Sequence, residues 1–538
     1  MAAVPATPGS APPQLSADDA DRLRQALTAA GYTVDGTARA LGLAGQAALE
    51  RGDLAGAARA LDNGAAADRR GADLLRLFVL GRDLPEARAA AALHPLPLAS
   101  AQRIGLIEPA GPEEVRAALD LRPYGEGDGA GRLPGDLTAG SGRQWWVLSD
   151  LGSDVRPGRP VRADHVLGIG AAALTLAQAT PRGPVGRALD IGAGCGVQAL
   201  HLSQHARTVV ATDLSARAVA LARATAALNG LTWDVRQGDL LEPVQGETFD
   251  LIVANPPFVV GPGWRGDAAG GDGAGEPSGF DYRDSGLEGD GVSERLVRGL
   301  PARLAPGGVA QLLANWVIPA DGDWAGRVSS WLADSGCDAW VWQRELADPG
   351  EYAALWLRDA GLQPGAAAWD QRYAQWLDWF DATATRAVGM GLITLRRSDC
   401  PDPVVVCEDV RQAVQHPSGE LIADWFRRLD WLRSRAGDLG SAVLRAADDL
   451  VLTTHATRGP DGWAPQVRTL RQAGGMRWEI DADPAIAALV AGCTGRATVG
   501  ELAAVLALSL GAAAEDVLSA VEPVVTDLVR RGLLEPVR

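Results

Sequence analysis

Between residues 186 and 258 the chain repeats one pattern four times: a strand-like run that stops at a glycine, an aspartate or an asparagine. The first run ends in Asp190-Ile191-Gly192-Ala193-Gly194-Cys195-Gly196 and the second in Asp213. The third leads to Gly238-Asp239, and the fourth ends in Asn255-Pro256-Pro257-Phe258. Stretches of helical length lie between them, and strand–helix alternation at this spacing is how parallel strands joined by crossovers read in a sequence. Strands are predicted at 186–191, 208–213, 249–254 and 308–314, with Trp340–Leu346 and Leu392–Arg396 as the last two. An amphipathic helix over Asp164–Gln178 is predicted to lead in. The fold class is therefore α/β, a Rossmann-like doubly wound sheet over residues 160–400.

The turns carry chemistry. Gly192, Gly194 and Gly196 lack the side chains that would keep a ligand off the backbone after the first strand. Their spacing is GxGxG. A nicotinamide-binding turn reads GxGxxG and would need glycine at Val197, so a dehydrogenase is disfavoured. Asp213 ends the second run 23 residues after Asp190, where a carboxylate accepts hydrogen bonds from both hydroxyls of a ribose. Asn255-Pro256-Pro257-Phe258 suits a planar nitrogen, whose lone pair is delocalised and poorly nucleophilic. The Asn255 side-chain oxygen and the Pro256 carbonyl can accept that nitrogen's hydrogens and aim the lone pair. Pro256 and Pro257 stiffen the turn because their φ angles are fixed, and Phe258 can stack on the planar group. His201 and His205 stand at i, i+4 on the helix after the glycine turn, and without a third ligand a solvent-facing pair is the expected reading.

Together these four turns resemble class I S-adenosylmethionine (AdoMet)-dependent methyltransferases of the subset that methylates planar nitrogens. The resemblance covers residues 160–320. It implies AdoMet as cofactor, held by Asp190, Gly192, Ala193, Gly194, Cys195, Gly196, Asp213, Leu214, Asp239, Leu240 and Asn255, with Asn255, Pro256, Pro257 and Phe258 as the catalytic turn. Asp190 stands at the family position that helps hold the cationic methionine end, and Asp239 at the one that contacts the adenine amino group. Asn255-Pro256-Pro257-Phe258-Val259-Val260, followed by Tyr282-Arg283-Asp284-Ser285-Gly286-Leu287-Glu288-Gly289-Asp290-Gly291, looks like the HemK-type enzymes that modify release-factor glutamine. That family more often has tyrosine after the prolines. The same turn with phenylalanine occurs in ribosomal-RNA and DNA base methyltransferases of the small-domain type. The favoured reading is thus methyl transfer to a glutamine side chain of a translation factor. The alternative is an exocyclic amine of an RNA or DNA base, rRNA first, and a third reading is an AdoMet-binding regulator without catalysis.

Composition narrows the alternatives. The chain has no lysine, which excludes a Walker A loop and a pyridoxal Schiff base. A net charge of −17 disfavours coating nucleic acid electrostatically and favours a protein target. No apolar run reaches membrane-spanning length and no signal peptide is visible, so a cytoplasmic protein without membrane contact is expected. The five cysteines form no CxxC pair, so no disulfide framework or zinc site is expected.

Around the catalytic segment the pattern divides into a disordered tail at 1–14, a helical domain at 15–99 and a small strand-containing module at 100–159. An α+β module at 401–480 and a winged-helix-like module at 481–538 follow it. Ser16 and Asp19 form a capping pattern at the first helix. Residues 481–538 hold eight acidic residues against four arginines, net −4, which suits a protein contact more than DNA reading. Between Gly261 and Val292 the chain is dense in glycine and aspartate, with Trp264, Phe280 and Tyr282 interspersed, the composition of a lid or binding loop. The tryptophan-rich stretch between the last two strands is expected to shape a substrate surface.

Overall fold

The strand-like runs become one eight-stranded sheet in the computed structural model, which describes residues 12–63, 69–125, 144–152, 155, 162, 164–263, 286–398, 400–460 and 462–537. In chain order its strands are β1 (Val185–Ile191), β2 (Ala206–Asp213), β3 (Asp234–Gln237), β4 (Phe249–Ala254), β5 (Leu304–Pro319), β6 (Cys337–Ala347), β7 (Thr385–Arg397) and β8 (Val405–Asp409). Across the sheet the order is β8-β6-β7-β5-β4-β1-β2-β3, and only the pairings of β7 are antiparallel. This is the class I methyltransferase arrangement with one strand added at the edge. Leu189, Ile191, Ile252 and Ala254 are buried on a sheet that helices cover, so these strands read as continuous apolar runs.

The intervening helices are α1 (Val197–Leu202), α2 (Ala216–Leu228), α3 (Gly291–Gly299), α4 (Trp324–Leu332), α5 (Pro349–Asp359) and α6 (Ala367–Ala382). The predicted helix over Asp164–Gln178 is helical only from Ala171 to Ala179. Before that, the Val166 N–H donates to the Asp150 side-chain Oδ2 at 2.9 Å and the Val166 carbonyl accepts from the Asp150 N–H at 3.1 Å. Strand β8 falls beyond the boundary expected at 400, because Ala339–Gln343 of β6 pairs with Val405–Asp409.

Residues before the sheet form helices Ala17–Ala29, Val34–Glu50 and Leu54–Asn63, further short helices, a three-stranded sheet and the hairpin Asp120–Gly125/Gln144–Ser149. Ser16 caps the first helix by accepting from the Asp19 N–H at 3.1 Å. These elements share one apolar core with α2, in which Leu23, Phe78, Leu93 and Val147 join Leu221 and Leu228, so the cores do not part at residues 99 or 159. Polar ties reinforce that union. Arg24 donates to the Leu228 carbonyl at 3.0 Å, Trp146 and Asn229 exchange hydrogen bonds, and buried Arg217 pairs with buried Asp150 at 2.8 Å.

The chain divides into two units, the first reaching Val410 apart from Gln178–Arg182, which belongs with Arg411–Arg538 in the second. The second unit holds α7 (Gly419–Ser434), β9 (Val443–Ala446), β10 (Leu450–Gly459), β11 (Gly462–Gln472), β12 (Glu479–Asp481), α8 (Pro484–Gly492), β13 (Thr494–Thr498), α9 (Val499–Leu510), α10 (Ala514–Arg531) and β14 (Leu534–Pro536). From α8 onward the order is helix, strand, helix, helix, strand, as in a winged helix. The middle strand of its sheet, however, is β9, which pairs with both β13 and β14. The boundary expected at 480 therefore cuts through one sheet. Among the described residues no single helix is long and apolar enough to cross a membrane.

Candidate active site

Register brings the turns together. Ile191 of β1 stands beside Thr212 of β2 and Ala254 of β4, so Gly192, Asp213 and Asn255 all emerge at the C-terminal edge of the sheet. Chain order reverses there, with β2 on one side of β1 and β4 on the other, which is where open α/β sheets bind ligands.

The glycine turn is left-handed at Gly192 (φ 71°), Gly194 (φ 55°) and Gly196 (φ 88°). Gly192 and Ala193 donate to the Thr212 carbonyl at 2.9 and 3.0 Å, pinning the turn to β2. A Cβ at Gly192 would stand 3.4 Å from the Asn255 carbonyl oxygen, so the cofactor turn and the catalytic turn abut. Gly196 has a further role that the sequence does not show. A Cβ there would come within 2.6 Å of the Trp233 ring, so its glycine makes room for packing. Cys195 is likewise turned away. Its thiol is buried in the core shared with the N-terminal helices, and burial pushes its pKa up to about 12. Only its backbone is left for a ligand.

Asp190 is fully buried; its Oδ2 accepts the Ala199 N–H at 3.0 Å, while Oδ1 has no partner among the described residues. Burial, with a contribution from the charge of Asp213, raises its pKa to about 7. A buried carboxylate oxygen without a donor suits a cationic group. Asp213 is oriented by the Gly194 N–H on Oδ2 and the Ser215 N–H on Oδ1, both at 2.9 Å. Leu214, next along, is 61% exposed and offers an apolar surface beside Asp213.

Asp239 is less available than the sequence implied, because Arg295 of α3 holds its Oδ2 at 2.8 Å. Leu240 has φ 47° and packs partly into the core below the sheet edge.

Asn255 is half-buried, and among the described residues nothing hydrogen-bonds its side-chain amide. Phe258 lies edge-on to Trp356, ring centres 6.3 Å apart. Behind the turn stands a group that the sequence did not single out. The buried Tyr352 hydroxyl accepts the Val260 N–H at 2.9 Å and the Asn315 Nδ2 at 2.8 Å, while Ser293 donates to the Asn315 carbonyl at 2.9 Å. An asparagine inside the apolar run of β5 was a signal for this network, but Tyr352 gave none. Tyr352, Trp376 and Phe380 from the insertion between β6 and β7 are buried against Val259, Val260, Val317 and Val388. The aromatic insertion is thus chiefly a core that supports the turn. Tyr282, Arg283, Asp284 and Ser285, with Trp264 and Phe280, lie outside the described residues. The ends of their segment meet where the Gly289 N–H donates to the Gly261 carbonyl at 2.8 Å.

His201 is buried and 2.6 Å from the Tyr124 hydroxyl, so the histidine pair is not a solvent-facing one. Among the described residues no group of three or more histidine, cysteine or acidic side chains is arranged to hold a metal.

Residues 164–269 match the family model described as Methyltransferase small domain. Residues 29–118 and 423–536 match models described as domains of unknown function, DUF7059 and DUF7782. The chain is similar to Ribosomal RNA small subunit methyltransferase C of Chromohalobacter salexigens, 36% identical over 133 residues that make up 25% of this chain and 32% of the relative. The protein of the same name from Enterobacter sp. is 32% identical over 193 residues, 35% of this chain and 48% of the relative. A solved T. thermophilus 16S rRNA methyltransferase, in complex with AdoMet and guanosine, is 20% identical with a TM-score of 0.22, covering 51% of this chain and 62% of that one. The chain therefore spans only about a third to a half of the curated relatives it matches. Sheet order, strand-end turns and the family match define a class I AdoMet-dependent methyltransferase domain, whose cofactor is AdoMet.

Proposed function

We propose that the protein transfers a methyl group from AdoMet to an exocyclic amine of an RNA base. The observation that carries the reaction is the Asn255-Pro256-Pro257-Phe258 turn at the end of β4, against the glycine turn, with the Asn255 amide unengaged among the described residues. The substrate class is supported by the relatives, which are named as ribosomal RNA methyltransferases. They favour RNA over the release-factor glutamine that the sequence pattern put first.

AdoMet supplies an electrophilic methyl on a sulfonium. On this reading Asp190 Oδ1 faces the ammonium of its methionine part, Asp213 holds the ribose hydroxyls, and Gly192 and Gly194 let the backbone come close. Leu214 and the outer oxygen of Asp239 flank the adenine. Asn255 Oδ1 and the Pro256 carbonyl accept the two hydrogens of the target NH2. The nitrogen lone pair, drawn out of the base's π system, is thereby aimed along the S–CH3 axis. Bound AdoMet would supply the methyl: the N–C bond would form as the S–C bond breaks, the positive charge would pass to nitrogen, and one of the two protons held by Asn255 and Pro256 would leave to solvent. The role of the chain is placement.

The test is transfer of methyl-tritium from AdoMet into a ribosome-containing lysate, split between ribonuclease and protease. Label lost to ribonuclease and recovered in a methylated base supports the reading, and label lost only to protease refutes it. Asn255→Ala should keep AdoMet bound and lose turnover roughly a hundredfold or more.

A further inference from the structure

In the second unit, β10 and β11 form a ribbon of ten paired positions from Leu450/Gln472 to Gly459/Gly462, about 30 Å long. The third strand, β12, covers only its base, at Thr469–Arg471. Beyond Thr454/Arg468 the ribbon is two strands with solvent on both faces, a form that is marginal when it has nothing to pack against. Its surface departs from the rest of this acidic chain. Arg458, Arg468 and Arg471 make no ion pair among the described residues, and no described residue of the ribbon is acidic. Trp463 is 74% exposed.

Register groups these side chains by face. Trp463 stands directly across from Arg458 near the tip, and Arg468, across from Thr454, shares their face about 13 Å along the strand. Arg471, across from Val451, belongs to the other face. A cation beside an exposed indole, with a second cation and the Thr454 hydroxyl farther along the same face, is the chemistry that holds a single nucleic-acid strand. The guanidiniums take phosphates, the ring stacks an unpaired base, and the hydroxyl bonds the backbone.

We infer that the β10–β11 ribbon is an RNA-binding arm, which contacts a single-stranded segment through Arg458, Trp463 and Arg468. The choice of RNA rests on the reading under Proposed function, whereas the arm's cationic, aromatic face stands by itself.

The test uses the full chain and a fluorescein-labelled single-stranded RNA of mixed sequence, with anisotropy read from about 50 to about 200 mM salt. The arm predicts that R458A/R468A lowers affinity and makes the slope of log affinity against log salt shallower by about 1.4. Trp463→Ala should weaken binding roughly tenfold with the slope unchanged, as for a stacking contact. Arg471→Ala should leave both nearly as in the parent. Superimposed curves for all variants overturn the arm in favour of a protein partner. A loss in R471A equal to that in R458A/R468A overturns the face assignment. Methyl transfer read in the same samples separates the two inferences. Ribbon-dependent binding without label in RNA sinks the reaction and leaves the arm. Label in RNA with ribbon-independent binding does the reverse.

Discussion

Asp190 offers the sharpest test of the cofactor site, because its environment makes a pH dependence with a definite sign. In the free protein burial pushes its pKa up to about 7, well above the ordinary carboxylate range. If its unpartnered Oδ1 faces the AdoMet ammonium, binding requires the ionised form. A small fraction of molecules is ionised at pH 6 and a majority at pH 7.5, so AdoMet affinity should rise severalfold, on the order of 1 kcal/mol, across that interval. Stability runs the other way. The folded carboxyl keeps a proton that the unfolded chain releases, so stability falls as pH rises from about 4 to about 7 and levels off above. The loss is on the order of 4 kcal/mol. In Asp190→Asn both dependences should vanish, since the amide cannot ionise and can still accept the Ala199 N–H. Calorimetric titration with AdoMet and urea unfolding, each at several pH values from 5 to 8, measure the two slopes. Parallel slopes in the parent and the variant, or an affinity in the parent that stays flat, would refute the assignment of Asp190 Oδ1 to the ammonium.

Three further outcomes follow from the same geometry. Asp213→Ala should weaken AdoMet binding by about 1.5–3 kcal/mol, since it removes a charged acceptor and frees the Gly194 N–H that it orients; calorimetry checks this. Gly196→Ala should destabilise the fold by about 2–4 kcal/mol, from a left-handed alanine driven into Trp233, and W233L in the same chain should recover part of the loss in urea unfolding. Tyr352→Phe should strip the Val260 N–H and Asn315 Nδ2 of their acceptor at a cost of about 2–4 kcal/mol. Its turnover should fall by more than its AdoMet affinity, and equal losses in both would detach this hydroxyl from the catalytic turn.

The parts legible in the sequence were those set by local chemistry. Glycines that need positive φ, an aspartate at a strand end and a proline pair after an apolar run announce themselves, so the β1, β2 and β4 turns stood where they were expected. What stayed hidden was decided by partners far along the chain. Gly196 looks like its two neighbours until Trp233 folds back over it. Cys195 sits in the same motif, yet its side chain joins a core begun at Leu23. Asp239 has the sequence setting of a ligand contact, and only the fold brings Arg295, 56 residues on, to hold one of its oxygens. The tryptophans between β6 and β7 have no period that separates a buried support from an exposed surface. β9 lies outside the winged-helix pattern but completes its sheet. Net charge, a sum over the whole chain, does not show that three arginines stand on one hairpin.

The core shared by the N-terminal helices and α2 sets a limit on how this enzyme can be cut. The segment recognisable as a methyltransferase begins at residue 164, but a chain started there would bare Leu221, Ala224 and Leu228 to water. It would also part Arg217, 3% exposed in the intact chain, from its Asp150 counter-charge. The recognisable stretch is therefore a unit of descent without being a unit of folding. A truncated version grafted onto another targeting module would inherit the chemistry of the strand-end turns without the support that keeps α2, and with it β2 and Asp213, in place.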